Sequence, residues 1–305
     1  MGGCTLTPAV IVVTFNSAPD IDEFLDTLDV LDVATNGDAI QVMVVDNNSS
    51  DDTVERVRRH RRQVEVVETG GNLGYAAGIN VGLTKVEDDR TVVVANPDVR
   101  LQPGFLEAIV PPLQRPDVGV VVPRLLDERG NTAWSIRHSP SVARAVAEAL
   151  FGGRRAARWG WGETVGTASH YREPCEVEWA TGALLVIRPD CRAAVGSWDP
   201  SFFLYSEETD YLLRVRDAGF SVRFEPAAVA EHRGGDLHRA SWLWELMTLN
   251  RVRLVAKRRG PRYAAAYWCA VLLNEILRAP RSSSHRRAVR GLLREFPALL
   301  RTDSR

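Results

Sequence analysis

Gln41-Val42-Met43-Val44-Val45-Asp46-Asn47-Asn48-Ser49-Ser50-Asp51-Asp52-Thr53 is a short β-branched run that stops abruptly in polar turn residues. A strand buried on both faces reads this way, with a continuous apolar run closed by Asn, Asp and Ser. Ala9–Phe15, Val64–Glu68 and Thr91–Asn96 repeat the pattern. Between them, Ile21–Leu31, Thr53–Arg62 and Tyr75–Val86 have helical length and periodicity, and Asp51 or Asp52 supplies an N-cap before Thr53. The series is βαβαβαβ. It predicts an α/β fold with a mainly parallel sheet covered by helices, whose ligands bind at the carboxyl ends of the strands.

After Pro123 the alternation loosens, and 152–174, rich in Gly, Arg and Trp, reads as a long surface loop or lid. A strand over Val177–Arg188, a turn at Gly196–Pro200, a helix over Ser206–Ala218 closed by Gly219, and a strand-like run Val222–Ala230 follow. From Trp242 onward the chain reads as helices. The net charge of −1 over 305 residues averages two unlike regions: residues 251–305 hold 14 Arg or Lys against three acids, +11, which leaves −12 for residues 1–250. Four scattered cysteines, Cys4, Cys175, Cys191 and Cys269, have no CxxC spacing, so reduced thiols are expected and neither a zinc site nor a disulfide framework is indicated. No secretion signal, myristoylation signal or transmembrane segment is expected, because the apolar stretch Tyr263–Leu273 is too short to span a bilayer.

Three strand ends carry groups suited to a nucleoside diphosphate: Thr14-Phe15-Asn16, Asp46 to Ser50, and Asn96-Pro97-Asp98. A carboxylate accepts from a ring N–H or a ribose hydroxyl, and Asn and Ser fix a base edge; local turn chemistry explains any one cluster equally well. Asp98 meets the sparse demand of a hard divalent cation that bridges phosphates and needs only one or two protein carboxylates. Gly70-Gly71-Asn72-Leu73-Gly74-Tyr75 is a Gly-rich strand-to-helix connection that matches neither the dinucleotide fingerprint nor a P-loop. In Ser206-Glu207-Glu208-Thr209-Asp210, acids in a first helical turn complement the dipole, and Asp210 can pair with Arg214. One of these carboxylates could instead face a reacting hydroxyl as general base. His232, before a Gly pair, becomes a candidate ligand if Asp98 is its partner.

Together, Ala9 to Asn16, Val44 to Asp51, Gly71 to Tyr75, Ala95 to Asp98 and Phe203 to Asp210 stand in the order found in family 2 inverting glycosyltransferases of the GT-A fold, and the chain resembles rhamnosyltransferase-type members most. The resemblance covers roughly residues 8–240. It implies a GT-A domain over 1–240, with a nucleotide-sugar half (8–123) and an acceptor half (124–240), followed by a basic helical C-terminal extension over 241–305. It further implies donor binding by Thr14, Asn16, Asp46, Asn47, Asn72, Gly74, Asn96 and Asp98. Trp179, Gly182 and Ala183 would line the sugar and acceptor pocket. Mg²⁺ or Mn²⁺ would be held by Asp98, with His232 as second ligand. The second acid of the family's acidic pair is the base, which places Glu208 in that role; Glu stands here where Asp is commoner, so Glu207 and Asp210 remain candidates. Asn96 stands where a full DxD motif has its first Asp.

The implied activity is inverting, metal-dependent hexosyl transfer, with L-rhamnose moving from dTDP-rhamnose to a saccharide or lipid-linked acceptor in cell-envelope glycan (polysaccharide) synthesis. The alternatives are a UDP-hexose or UDP-N-acetylhexosamine donor, or a nucleotide-sugar-binding protein without turnover. The tail, with Trp242-Leu243-Trp244, the basic run from Arg251 to Arg262 and the apolar Tyr263–Leu273, reads either as a peripheral membrane contact on the inner face of the cell membrane of a cytoplasmic protein or as a solvated or homodimerising arm. No nucleic acid partner is expected, since the tail has charge but no reader motif.

Overall fold

In the computed structural model, residues 7–34, 40–234 and 240–299 are described. They form two compact units. The first comprises the described residues of 1–135, 171–203 and 207–234; the second comprises 136–170, 204–206 and the described residues from 235 onward. Cys4 and His238 lie outside the described residues.

The first unit is built on one sheet. Its strands are β1 (Ala9–Thr14), β2 (Gln41–Asp46), β3 (Glu65–Glu68), β4 (Val92–Ala95), β5 (Val99–Leu101), β6 (Val118–Leu126), β8 (Cys175–Val177), β10 (Leu184–Ile187) and β11 (Ser221–His232), while the short β7 (Ile136–Arg137) and β9 (Trp179–Ala180) stand outside it. The order is β3-β2-β1-β4-β10-β6-β11-β5, with β8 also on β11. The expected parallel block is β3-β2-β1-β4, in register Val12↔Val44 and Val12↔Ala95. β10 then runs antiparallel between β4 and β6, which makes the sheet mixed. Strands β1 and β4 are buried throughout, as their unalternating Val and Ile runs require. Helices α1 (Ile21–Thr27), α2 (Asp29–Ala34), α3 (Thr53–Arg59), α4 (Tyr75–Leu83) and α5 (Phe105–Leu113) follow the first strands. One face of the sheet joins α1 and α5 in a core that includes Val10, Val12, Phe24, Leu25, Phe105 and Ile109.

Several expectations are corrected. The single helix over 21–31 is two, because the Thr27 hydroxyl donates to the Phe24 carbonyl (2.8 Å) and the chain turns at Leu28. The cap of α3 comes from Asp51, whose Oδ1 accepts from the Thr53 amide (3.1 Å) and hydroxyl (2.5 Å); Asp52 makes no side-chain cap bond. The strand expected over 177–188 is interrupted at 181–183. Strand β11 bulges between Glu225 and Val229, where Pro226 has no N–H for the ladder.

The second unit is helical: α6 (Val142–Phe151), α7 (Gly153–Arg158), α10 (Ser241–Arg259), α11 (Pro261–Arg278) and α12 (Ser283–Leu299), while α8 (Pro189–Val195) and α9 (Glu207–Asp217) belong to the first unit. The expected loop over 152–174 therefore contains a helix, and residues 136–170 group with the C-terminal helices rather than with an acceptor half. A buried ion cluster explains the grouping. Arg251 of α10 donates to Glu163 (2.8 Å) and Glu148 of α6 (3.2 Å), and Glu148 also accepts from the Glu163 amide (2.8 Å). Burial pushes the Glu163 carboxyl above its ordinary range despite Arg251. Removing one partner would leave an uncompensated buried charge, so the cluster pins the segment to α10. The apolar Tyr263–Leu273 stretch lies mostly within this unit: Ala264, Tyr267, Ala270 and Val271 pack with Leu249, Val252, Val255 and Leu292. Among the described residues, no helix is long and apolar enough to cross a membrane.

Candidate active site

Two polar clusters occupy the carboxyl edge of the parallel strands, and their chemistry differs. The first ties β1 to β2. Asp46 Oδ1 accepts from the Thr14 hydroxyl (2.8 Å) and the Ser49 hydroxyl (2.6 Å), and Oδ2 accepts from the Ser49 amide (2.8 Å). Asp46 and Thr14 are buried. Asn47, also buried, donates to the Gly74 carbonyl (3.0 Å) and accepts from the Thr69 hydroxyl (3.2 Å). Thr14, Asp46 and Asn47 thus spend their polar groups on one another and on the neighbouring loops. Asn16, left-handed at φ +53°, accepts from the amide of Ser50 (2.8 Å), and Asn72 accepts from the amide of Gly74 (3.1 Å). Asn16, Asn48 and Asn72 remain exposed there, beside the exposed Phe15 and Leu73.

The second cluster forms where β4 ends. The Asn96 amide donates to the Ala183 carbonyl (2.9 Å), and the chain reverses through Pro97-Asp98 into β5, which pairs antiparallel with the end of β11, His232 opposite Val99. That register brings Asp98 and His232 together, with Nε2 3.3 Å from Oδ2. The Gly234 amide donates to the same oxygen (2.9 Å). Burial opposes ionisation of Asp98, but the hydrogen bond and charge of His232 and the Gly234 amide outweigh it and hold the carboxyl below its usual range. The turn is stapled by the buried Arg100, which donates to the Pro97 and Val99 carbonyls (both 2.9 Å) and to Glu23 (3.1 Å).

Gly74, at φ +87°, opens α4 against residue 203. A Cβ there would lie 2.4 Å from the Phe203 carbonyl, which instead accepts from the Tyr75 amide (2.7 Å). Farther along α4, Asn80 makes two bonds to the Trp198 backbone (2.8 and 2.9 Å), and Trp198 stacks on Tyr211 of α9 at 4.3 Å between ring centroids. These links fix the start of α4 beside the start of α9. The Tyr75 hydroxyl is consequently buried without a hydrogen-bond partner among the described residues, in the field of Glu207, Glu208 and Asp98. Burial first, then those three carboxylates, push the phenol well above its ordinary value, so it stays protonated as a donor.

Each acid of α9 has a different environment. Glu207 is only 4% exposed, with Oε2 buried and unpartnered among the described residues, and burial together with Glu208 pushes its carboxyl well above the usual range. Asp210 is fully buried and held by Arg214 at 2.9 Å, the i, i+4 pair foreseen in the sequence; Arg214 also bonds the carbonyls of Val195 and Ser197. Glu208 is half-buried and lies against Gly182, where a Cβ would come within 2.8 Å of the Glu208 Cβ. The interruption of the 177–188 strand therefore makes room for Glu208. Of the expected pocket residues, Gly182 reaches the acids, while Trp179 and Ala183 are buried. The sequence reading missed Tyr75 and Asn80; an aromatic hydroxyl in the first turn of a Gly-opened helix was the available signal for Tyr75.

Comparisons with known proteins bear on both the sequence and the fold. The sequence fits the profile of glycosyl transferase family 2 over residues 9–172. The chain belongs to glycosyl transferase family 2. It is 29% identical over 239 residues to the N-acetylglucosaminyl-diphospho-decaprenol L-rhamnosyltransferase of Mycobacterium tuberculosis, covering 73% of this chain and 75% of that one. Among solved structures, GalNAc-T7 with UDP, GalNAc and Mn²⁺ matches with a TM-score of 0.60 at 13% identity, over 97% of this chain and 57% of that one. The mannosyltransferase PcManGT of Pyrobaculum calidifontis, in complex with GDP-Man and Mn²⁺, matches with a TM-score of 0.57 at 19% identity, over 96% and 75%. The family 2 glycosyltransferase thus has the GT-A fold anticipated from its sequence, a mostly parallel mixed sheet flanked by helices, with C-terminal helices present. Among its described residues, no group of three or more His, Cys, Asp or Glu could hold a metal ion.

Proposed function

We propose that this glycosyltransferase moves L-rhamnose from a dTDP-linked donor to a lipid-linked saccharide by single displacement with inversion, with Glu208 as general base. The observation that carries the reading is the convergence of Tyr75, Asp98, Glu207 and Glu208. The rhamnose and the lipid carrier are supported by the name of the mycobacterial relative.

Of the three acids, Asp210 is engaged by Arg214, and Glu207 is held towards its protonated form. Glu208, half-buried against Gly182 at the second acid position of the pair, would take the proton of the acceptor hydroxyl as that oxygen bonds to the anomeric carbon and the bond to the donor diphosphate breaks. Tyr75 keeps its proton and can donate a hydrogen bond to an anionic group entering among the carboxylates. At the nucleoside end, Phe15, Asn16 and Asn72 are exposed and would meet the base and ribose.

Asp98 and His232 suit a divalent cation: one carboxylate and one imidazole, adjacent and each partly exposed, leave the remaining positions to diphosphate oxygens and water. Mn²⁺ or Mg²⁺ held there would stabilise charge on the departing diphosphate.

Transfer assays across dTDP-, UDP- and GDP-sugars, with and without Mn²⁺, test the assignment. Preference for dTDP-rhamnose with full retention of donor binding in Glu208→Gln is the expected outcome. A preferred UDP-hexose would overturn the sugar but leave the mechanism standing, and near-normal turnover of Glu208→Gln would overturn the base.

A further inference from the structure

We propose that residues 150–161 of the helical unit, with the exposed stripe of α11, form a docking surface for an anionic lipid bilayer. Phe151, Trp159 and Trp161 pack edge to face on one another, with ring centroids 5.3 to 5.6 Å apart. Together with Leu150 they are 41% to 59% exposed. Aromatic rings that support one another while half in water form an apolar patch, and a patch of this kind marks an interaction surface. The loop that carries them is held in place: the Trp161 amide donates to the Ala156 carbonyl (2.9 Å), and Arg144 donates to the Gly162 carbonyl (2.8 Å).

Charge identifies the partner. Between Leu150 and Trp161 there are three basic residues and no acid. Arg154, Arg155 and Arg158 are all exposed on α7, and none forms an ion pair with a described carboxylate. Indole rings with wet N–H groups, beside guanidinium groups on long apolar stems, suit the headgroup layer of a membrane. A rim of unopposed positive charge complements anionic phospholipid.

A second apolar surface joins this one. On α11, Leu273, Ile276 and Leu277 are exposed at i, i+3 and i+4. The next residue, Arg278, donates to the carbonyls of Glu148 (2.8 Å) and Ala149 (3.3 Å), fastening the end of α11 to the end of α6 just before Leu150. The membrane contact thus moves from the Tyr263–Leu273 stretch, much of which is buried, to the exposed ends of α6 and α11 and the Trp loop. The proposal stands on this surface and not on the transfer reaction.

Flotation of the full chain with phosphatidylcholine vesicles, with and without phosphatidylglycerol, tests it. The protein should float with the anionic vesicles and be released by salt, and Trp159→Ser/Trp161→Ser should reduce partitioning by at least about tenfold. Arg154→Ser/Arg155→Ser/Arg158→Ser should remove the preference for phosphatidylglycerol, again by about tenfold or more. Because these side chains are exposed, both variants should keep the wild-type melting temperature. Failure of the wild type to float, or flotation of both variants equal to that of the wild type, would overturn the proposal. So would a dimer in sedimentation velocity that the Trp variant dissolves without altering flotation, since the patch would then be a self-association surface.

Discussion

The two polar clusters at the strand edge of the sheet are built from similar residues and do opposite things. Around Asp46, each carboxylate oxygen accepts from a hydroxyl or amide within 2.8 Å, and the group is buried. Around Glu207, by contrast, Glu208 crowds a buried carboxyl, the Asp98–His232 pair stands near, and the Tyr75 phenol is buried with no partner among the described residues. A satisfied network holds loops in place. A frustrated one stores a demand for hydrogen bonds and cations that a substrate can meet. If the second cluster is the reacting site, as proposed, the difference marks where stability is given up for chemistry.

The comparison can be broken first at Glu208. With Glu208 as the proposed base, Glu208→Gln should lower transfer by about 10²–10⁴-fold while leaving the melting temperature close to wild type, because the amide keeps the size of the side chain but takes up no proton. Parallel losses of fold and activity would place Glu208 with the structural cluster instead. Asp46→Ala should do the reverse. It strands the Thr14 hydroxyl and the Ser49 amide and hydroxyl, so denaturant unfolding should report a loss of about 3 kcal/mol.

Tyr75→Phe sharpens the contrast within one residue. It removes a buried hydroxyl that has no partner, so stability should rise by about 1 kcal/mol. Transfer should fall by about tenfold if the phenol donates to the reacting groups. A loss of stability would show that the hydroxyl is satisfied in solution.

Glu207→Gln supplies the smallest and most pH-dependent effect. The folded-state value of Glu207 is raised, so below about pH 4 both folded and unfolded chains hold the proton and the substitution changes little. Above that, the unfolded wild type releases a proton that the folded state retains, and wild-type stability falls as pH rises. The stability advantage of Glu207→Gln, read by denaturant unfolding, should therefore grow from acidic to neutral pH. A constant difference across that range would mean that Glu207 is ionised when folded.

Much of this was legible in the chain. The unalternating runs that became β1, β2 and β4, the polar residues that end them, and the pairing of Asp210 with Arg214 all follow from local pattern, since burial on both faces and i, i+4 spacing leave a mark in the sequence. The Asp98–His232 partnership was foreseeable only as a conditional, because 134 positions separate the two residues and a strand register decides whether they meet. Nothing local marked Asp46 as the knot that ties β1 to β2, since its acceptance from Thr14 and Ser49 depends on how the two strands pair.

The sequence by itself determined the strand and helix alphabet, the family and the charge segregation, because these depend on periodicity, composition and short motifs. The tertiary structure decided which polar groups are already satisfied. It set Tyr75 among three carboxylates through Gly74 and Asn80, and it gathered residues 136–170 with the C-terminal helices around Arg251. Hydrogen-bond satisfaction is a property of neighbours brought together across long stretches of chain, and only the folded register supplies those neighbours.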